Sequence, residues 1–543
     1  MGSNGGHDLH LPWFAAGLLV DWANPASSRW RTPNIMQRPG RLLAASVGLA
    51  AGAASLAAAE LVAAVGTTTR SPILDVGDRV IDLVPSWLKD AAIQLFGTND
   101  KLALLAGIAV ILVLYSAAVG IIAMRHRLLP GVVGILAFGA VGATAALLAG
   151  RGPAAVLPAG VGALIGVAVL LALHRTWFRV SDSHAGIASE DRRQFLVGLG
   201  ATFVTAGIAA GAGRLTAANA AISSGAAAST LPRVVRPLPP IGASADLGLP
   251  GLTPFITPND EFYRIDTALS VPRVSIEDFS LRIFGMVDQE LIFSYADLTA
   301  RAQIESDITL TCVSNEVGGQ LVGNARWQGI RLDALLDEAG VQAGADQVVG
   351  RSIDNYTCGF PVAAATDGRD AMIALGMNGE PLPLVHGFPA RLVVPGLYGY
   401  VSATKWLKEI EITTFEAFDH YWVRREWSAQ APIKTQSRID TPGPLDSVPA
   451  GPGTIAGVAW AQTRGIAKVE VQIDDGPWQE AELAEEVANT TWRQWRLRWD
   501  VTPGRHTVTC RATDATGELQ AEERATPMPD GATGWHSIVV FGD

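Results

Sequence analysis

Five apolar runs, at 42–65, 102–124, 131–148, 154–173 and 195–212, pattern the first 213 residues of the chain. Each is roughly 18–24 residues long. About 20 residues at a 1.5 Å rise cross a hydrocarbon core of ~30 Å, so the pattern predicts five membrane-spanning helices. The runs are rich in Ala, Gly, Leu and Val, and the small residues let helices approach closely within a bilayer. The apolar run at 9–20 is too short to cross and reads as an interfacial piece. Residues 73–97 place apolar groups every three or four positions, the period of an amphipathic helix lying on a membrane surface. Glu60, near the far end of the first span, sets a carboxylate at a costly depth unless it reaches the interface.

Charge orients the spans. Arg29, Arg31, Arg38 and Arg41 precede the first, Arg125 and Arg127 follow the second, and Arg175, Arg179, Arg192 and Arg193 precede the fifth. The positive-inside rule places these segments in the cytoplasm and everything beyond Arg214 outside, giving a multi-pass cell-membrane protein with an extracytoplasmic globular part. The 70–101 connection also carries four basic residues. The stretch Asp191, Arg192, Arg193, Gln194, Phe195, Leu196 adds an arginine pair before a moderately apolar run. Such a pair is similar to a twin-arginine export signal, which serves domains that fold and load a cofactor before translocation. A plain basic flank is the alternative.

Beyond the spans the pattern changes twice. Residues 214–245 are rich in Ala, Ser and Pro and read as a linker. Residues 246–430 mix short strands, as at 280–284 and 391–394, with helical pieces such as 331–339, and form an α+β domain. In 431–543 short alternating strands at 454–460, 468–473, 496–500 and 506–512 are punctuated by turns at Asp474–Gly476, Pro503–Gly504 and Thr516–Gly517. That spacing predicts a β-sandwich.

Hydrophobic residues make up 49% of the chain and charged ones 17%, which excludes wholesale disorder. The net charge of −11, without a long Lys/Arg run, argues against nucleic acid as a partner. Three cysteines, Cys312, Cys358 and Cys510, make no disulfide framework, and no CxxCH or cysteine cluster calls for covalent haem or an iron–sulfur centre. Cys312 ends a strand-like run, 307–312, before the Gly-rich turn at Val317–Gly319, where a thiolate suits a soft metal. A buried small hydrophobe is the commoner role of a lone cysteine, and Cys358 and Cys510 belong to that class. His386 and Arg391 flank a Gly/Pro turn, and Lys405 follows Gly396 by nine residues. Three such groups converging through turns suit an anionic phosphate.

Together these segments resemble the sulfite oxidase family of molybdopterin-dependent oxidoreductases over residues 250–543. The resemblance rests on Asn259, Phe262 and Tyr263; Thr311, Cys312 and Asn315; Ala325, Arg326 and Trp327 with Leu332 and Leu335; and Met377 to Pro383. It continues through His386 to Arg391, through Lys405, Trp406 and Leu407, and through Arg511, Asp514, Gly517 and Gln520. It implies a molybdenum–molybdopterin cofactor with Cys312 as the metal's protein thiolate. It also implies a cofactor lining of Asn259, Tyr263, Arg264 and Asn315. The pterin and its phosphate would be held by His386, Arg391 and Lys405, with Ala403 and Thr404 contributing mainly backbone. Cys312 and Arg264 are the catalytic candidates, and the C-terminal sandwich would be Ig-like and of the dimerisation type.

The sequence also departs from the sulfite-oxidising pattern. Arg264 lies one place early, Glu316 stands where a basic residue follows Cys-x-x-Asn, and Trp427 falls near the place of an active-site tyrosine. Two-electron oxygen-atom transfer on a small molecule of oxyanion or sulfoxide type is the expected activity, with sulfite disfavoured by the added acid. A sulfoxide repair reductase of the same family is the alternative enzyme. A membrane-tethered binding protein that has lost its metal is the non-catalytic alternative, opposed by the retention of Cys312, His386, Arg391 and Lys405. Electrons require a separate cytochrome or quinone-linked partner. His126 and His174, at predicted cytoplasmic helix ends, need no haem-ligand role.

Overall fold

The structure, a computed structural model, describes residues 38–65, 69–84, 100–149, 152–182, 189–222, 230–272 and 274–543. Among the described residues, six helices form the N-terminal part: α1 (Arg41–Val65), α2 (Pro72–Leu83), α3 (Asp100–Arg125), α4 (Leu128–Leu148), α5 (Leu157–Asp182) and α6 (Ser189–Ile222). Four stretches among the described residues, Arg41–Ala64, Ala103–Arg125, Leu128–Leu148 and Pro153–Phe178, are long and apolar enough to cross a membrane. Sequence reading predicts a fifth at 195–212. There α6 carries the described apolar stretch Phe195–Ala209, shorter than the other four.

Small residues set the spacing of the bundle. A Cβ on Gly48 would lie 2.0 Å from the Ser116 carbonyl, and one on Gly120 would lie 2.3 Å from that of Ala44, so α1 and α3 meet backbone to backbone. Arg125 Nη1 donates to the Pro39 carbonyl at 2.9 Å, and the rings of Trp177 and Phe195 meet at 5.3 Å. These contacts gather the start of α1, the α3–α4 turn, the later part of α5 and the beginning of α6 at one end. At the other end α2 begins with Pro72 at its first turn, where a missing N–H costs nothing. There Glu60 accepts the Ser71 hydroxyl, so this carboxylate has a polar partner. Of the amphipathic helix expected over 73–97, residues 85–99 lie outside the described residues. So do the piece at 9–20, Arg29 and Arg31.

The expected linker at 214–245 is different in form. Helix α6 continues to Ile222, and from 230 onward the chain lies on the globular part. Strand β1 (Val234–Arg236) pairs in parallel with the strand Gln303–Thr311, and Gln328 Nε2 donates to the Pro232 carbonyl at 2.6 Å. Ten more strands complete the α+β domain. They are β2 (Ser280–Gly285), β3 (Leu291–Ser294), β4 (Gln303–Thr311), β5 (Val322–Arg331), β6 (Gln347–Ser352), β7 (Thr357–Pro361), β8 (Met372–Met377), β9 (Glu380–Pro381), β10 (Arg391–Val393) and β11 (Leu407–Thr413). One sheet runs β1-β4-β5-β8-β10, with β9 on β8, and the other β3-β2-β11-β6-β7. Leu281, Ile283, Val348, Ile373, Leu392 and Ile410 are among the apolar residues buried in this domain. The expected strands at 280–284 and 391–394 and the helical piece at 331–339 coincide with β2, β10 and Leu332–Ala339 to within a residue.

The C-terminal part is two sheets over a second core. One contains Gln436–Thr441, Gly451–Trp460, Arg493–Val501 and Glu482–Leu483. The other is built on Ile466–Ile473, Gly504–Asp514 and His536–Gly542. This layer buttresses β4: Trp492 N donates to Thr309 Oγ1 at 2.7 Å, Gln462 Nε2 to the Thr309 carbonyl at 3.1 Å, and Thr490 Oγ1 to the Asp307 carbonyl at 2.7 Å. Strand β4 is therefore fixed from behind before it delivers Cys312.

Two histidines in these cores have a measurable cost. His420 is fully buried, with neither ring nitrogen hydrogen-bonded among the described residues. His536 accepts from Ile439 N at 3.0 Å through Nδ1. Burial, aided by Arg424 and Arg438 respectively, pushes both down to about 4. The folded state holds them neutral, while the unfolded chain protonates them near ~6.5. Their stabilisation is therefore complete above ~6.5 and is lost as pH falls toward 4. Chemical denaturation midpoints of the globular part should drop between pH 7 and pH 5, and His420→Phe should flatten that drop. A pH-independent midpoint would contradict this assignment.

Candidate active site

Four segments converge on one cleft enclosing about 770 Å³ of space open to solvent. The cysteine arrives at the end of β4. Cys312 N donates to the Leu321 carbonyl at 2.9 Å, Asn315 N to the Cys312 carbonyl at 3.0 Å, and Asn315 Oδ1 accepts Leu321 N at 2.8 Å. This closes a tight turn that aims the thiol into the cleft. The C-terminal layer seals the turn from outside: Arg438 Nη1 donates to the Gly319 carbonyl at 2.9 Å. Cys312 is buried, and burial pushes its thiol up. A thiol in such surroundings ionises when a cation or metal compensates it.

The segment 386–391 supplies the next wall. Gly387 adopts φ +115°, and a Cβ there would sit 3.1 Å from both Arg391 Cβ and Lys405 Cα. Glycine thus brings the two cations against one turn. His386 contacts the Asn259 carbonyl through Nε2 at 2.7 Å. A carbonyl only accepts, so Nε2 carries the proton and Nδ1 is left as an acceptor. Burial first, and the Arg391, Lys405 and Arg264 charges after it, lower His386 to about 4. Phe262 packs edge-on to both Trp327 and His386, at 5.8 and 5.6 Å, and stacks on Tyr263 at 5.2 Å.

Arg391 carries the strongest electrostatic tension. It is 5% exposed, donates Nη1 to the His386 carbonyl at 3.0 Å and lies 4.8 Å over the Trp327 ring. Its Nε has no partner among the described residues, and burial lowers its pKa to about 10. A buried guanidinium without an anion costs several kcal/mol. Lys405 is better served: Nζ donates to Asp266 Oδ2 at 2.8 Å and to the Val385 carbonyl at 3.3 Å. Burial nonetheless lowers it to about 8 against the pull of Asp266.

Of the residues predicted from sequence, the cleft brings together Tyr263, Cys312, His386, Arg391, Ala403 and Lys405. Arg264 does not line it. Its side chain is 41% exposed on the rim, with Nε donating to Asp266 at 2.8 Å. Asn259 acts from behind through its carbonyl, Asn315 spends its side chain on the turn, and Thr404 contacts Cys358 Sγ at 2.7 Å. Glu316 is exposed and away from the lining, so the acidic groups of the cleft are instead Asp266 and Asp354. Trp427 stands one ring back, 5.9 Å from Trp422 and 5.8 Å from Tyr400, and it is Trp422 and Tyr400 that line the wall. Asp266, Asp354, Tyr356, Tyr400 and Trp422 were not singled out from sequence. Only the short spacing of Arg264 to Asp266 hinted at the acid that claims it.

Comparisons with known proteins find relatives of the globular part. Residues 268–422 match a family model described as the oxidoreductase molybdopterin binding domain. The mitochondrial sulfite oxidase of Homo sapiens is 31% identical over 340 residues, 53% of this chain and 62% of that protein. The NADH nitrate reductase of Solanum lycopersicum is 27% identical, over 50% of this chain and 36% of that protein. The alignment thus spans less than two thirds of these relatives' length. Among solved structures, the sulfane dehydrogenase SoxCD of Paracoccus pantotrophus is 25% identical, covering 53% of this chain and 80% of that one, with a TM-score of 0.45.

The two cations predict an anion site with a pH edge. Sulfate, whose charge is constant across this range, should bind the cofactor-free protein with steady affinity below pH ~8. Affinity should weaken above it as Lys405 loses its proton. Lys405→Met should remove the edge and cost at least about tenfold, the lower end of a charge-assisted hydrogen bond. Isothermal titration across pH 6.5–9.5 gives the answer; an edge that survives in the Met variant would exclude Lys405.

Proposed function

Since its globular part places this chain in the sulfite oxidase family of molybdopterin-binding oxidoreductases, we propose that it is a membrane-anchored enzyme of two-electron oxygen-atom transfer. The observation that carries this reading is the meeting of a buried thiol, Cys312, with a buried and uncompensated guanidinium, Arg391, in one cleft. The residues fit molybdenum–molybdopterin. Cys312 offers the soft ligand, Arg391 and Lys405 offer charge to a phosphate, and His386 Nδ1 and the backbone at Ala403 and Thr404 offer contacts to a pterin. Bound there, the group supplies the two-electron redox and oxygen-atom chemistry.

The chain's own residues then have definable work. An anion beside Arg391 satisfies its Nε and relieves the cost of burying the cation. Tyr263, whose phenol is lifted by burial and by Cys312, stays protonated and can donate a hydrogen bond. Phe262, Trp406 and Trp422 exclude water from around the thiol. Asp266 holds both Lys405 and Arg264 through one oxygen, so Arg264 is withdrawn from any incoming oxyanion. With Asp354 also on the cleft wall, the entrance favours a neutral substrate over sulfite. That observation supports the second reading, a reductase of sulfoxide-type substrates.

The membrane arrangement supports catalysis outside the cytoplasm. Arg38, Arg41, Arg125 and Arg127 lie at the bundle end opposite to the one that touches the cleft domain, as the positive-inside rule requires. Arg192 and Arg193, at the start of α6, fit a twin-arginine route for a domain exported after loading. The C-terminal double sheet is read as Ig-like and of the dimerisation type, and electrons pass to or from a separate partner.

Cys312→Ser should abolish oxidoreductase activity while leaving the circular dichroism and the denaturation midpoint near wild type, because a hydroxyl is a poor soft-metal ligand. Arg391→Ala should purify with less pterin, at a loss on the order of 1.5–3 kcal/mol in retention. Full activity in the Ser variant, or unchanged pterin after dialysis of the Ala variant, would contradict the assignments.

A further inference from the structure

The two loops that form the outer wall of the cleft are the same loops that hold the membrane bundle. Ile265, Asp266 and Thr267 line the cleft, and three residues farther on Arg70 Nη2 donates to Ser270 Oγ at 3.1 Å. Leu269 Cδ1 packs so closely on α2 that a Cβ added at Gly77 would lie 2.6 Å from it. Ser352, Asp354 and Tyr356 also line the cleft, and between them Asn355 Nδ2 donates to the Ala149 carbonyl at the end of α4 at 3.3 Å. Arg70 is itself fixed by Asp78 at 2.5 Å and Asp75 at 3.9 Å. The bundle thus grips the wall at both loops while, among the described residues, contributing no side chain to the lining. The cleft wall thus rests against the bundle end where α4 finishes and α2 begins.

Part of the rim is apolar: Ile265 is 46% exposed beside the entrance, and Trp422 forms part of the wall. A reactant with an aromatic polar head and an aliphatic tail fits this arrangement: its tail remains in lipid, and its head enters between Ile265 and Trp422. A water-soluble reactant gains nothing from an entrance placed at the membrane surface.

We propose that the cleft exchanges electrons directly with a lipid-soluble quinone that enters along the bundle–cleft boundary. This rests on the redox reading above and names its partner. Oxidation of a substrate X by water, X + H₂O → XO + 2 H⁺ + 2 e⁻, releases two electrons and two protons. A quinone takes up both, Q + 2 H⁺ + 2 e⁻ → QH₂, and the same couple run backward supplies a reductase. No single-electron carrier is then required between cleft and membrane.

The test uses the full chain in phospholipid nanodiscs, with pterin content measured on every sample. Decylubiquinone should quench tryptophan emission saturably. Tail-less ubiquinone-0 should do so at least tenfold more weakly. Ile265→Asp should weaken decylubiquinone quenching at least tenfold while pterin content and the denaturation midpoint stay at wild-type values. In pterin-loaded protein, quenching that is absent, independent of the tail or unchanged in Ile265→Asp would overturn the quinone assignment and leave the redox reading intact. Chains that carry no pterin at all would overturn both.

Discussion

A guanidinium buried without a carboxylate is the constraint around which the cleft is built. Arg391 gives up water for one carbonyl and one indole face, and its Nε has no partner among the described residues. The fold tolerates that cost because Arg391 starts a strand in the middle of the domain's packing. Leu392 and Val393 beside it are fully buried, and β10 is held antiparallel to β8. Moving the arginine outward would expose both. Such an arrangement is stable in use when an anion completes it, which makes the cleft a receptor for negative charge before any chemistry is considered.

Everything else in the site serves to bring a thiol into the same cleft as that cation. Strand β4 is pinned by Gln462, Thr490 and Trp492 of the C-terminal layer, and Arg438 of the same layer closes the turn after Cys312. The C-terminal part is thus a supporting wall of the site as well as a separate core. The N-terminal helical bundle fixes the two outer loops through Arg70 and Ala149. The cleft stands between a rigid β layer and the bundle, so movement of either changes the geometry at Cys312 or at the entrance.

How far this could be read from sequence depended on whether a residue's role is local. Helices apolar and long enough to cross a membrane announce themselves by length and hydropathy, and α1, α3, α4 and α5 fall where the apolar runs lie. The fifth predicted run falls on α6, whose described apolar stretch is Phe195–Ala209. Cys312, His386, Arg391 and Lys405 were legible because each sits beside a glycine-rich turn that has few other reasons to exist. Asp266, Asp354, Tyr356 and Trp422 were not, since each comes from a loop whose neighbours only the tertiary fold selects. Arg264 was misjudged for the same kind of reason: a carboxylate two residues on, Asp266, draws it to the rim. The stretch at 214–245 has linker composition, yet backbone pairing to β4 recruits its later part into the domain.

The central claim is that the thiol of Cys312 and the cation of Arg391 share one cleft in order to hold one metal and its anionic carrier. Elemental analysis of the purified full chain tests this most directly. The account predicts molybdenum close to one atom for each chain in wild-type protein and a level near background when Cys312 and Arg391 are replaced together. Wild-type protein that is folded, correctly inserted and free of molybdenum would contradict it.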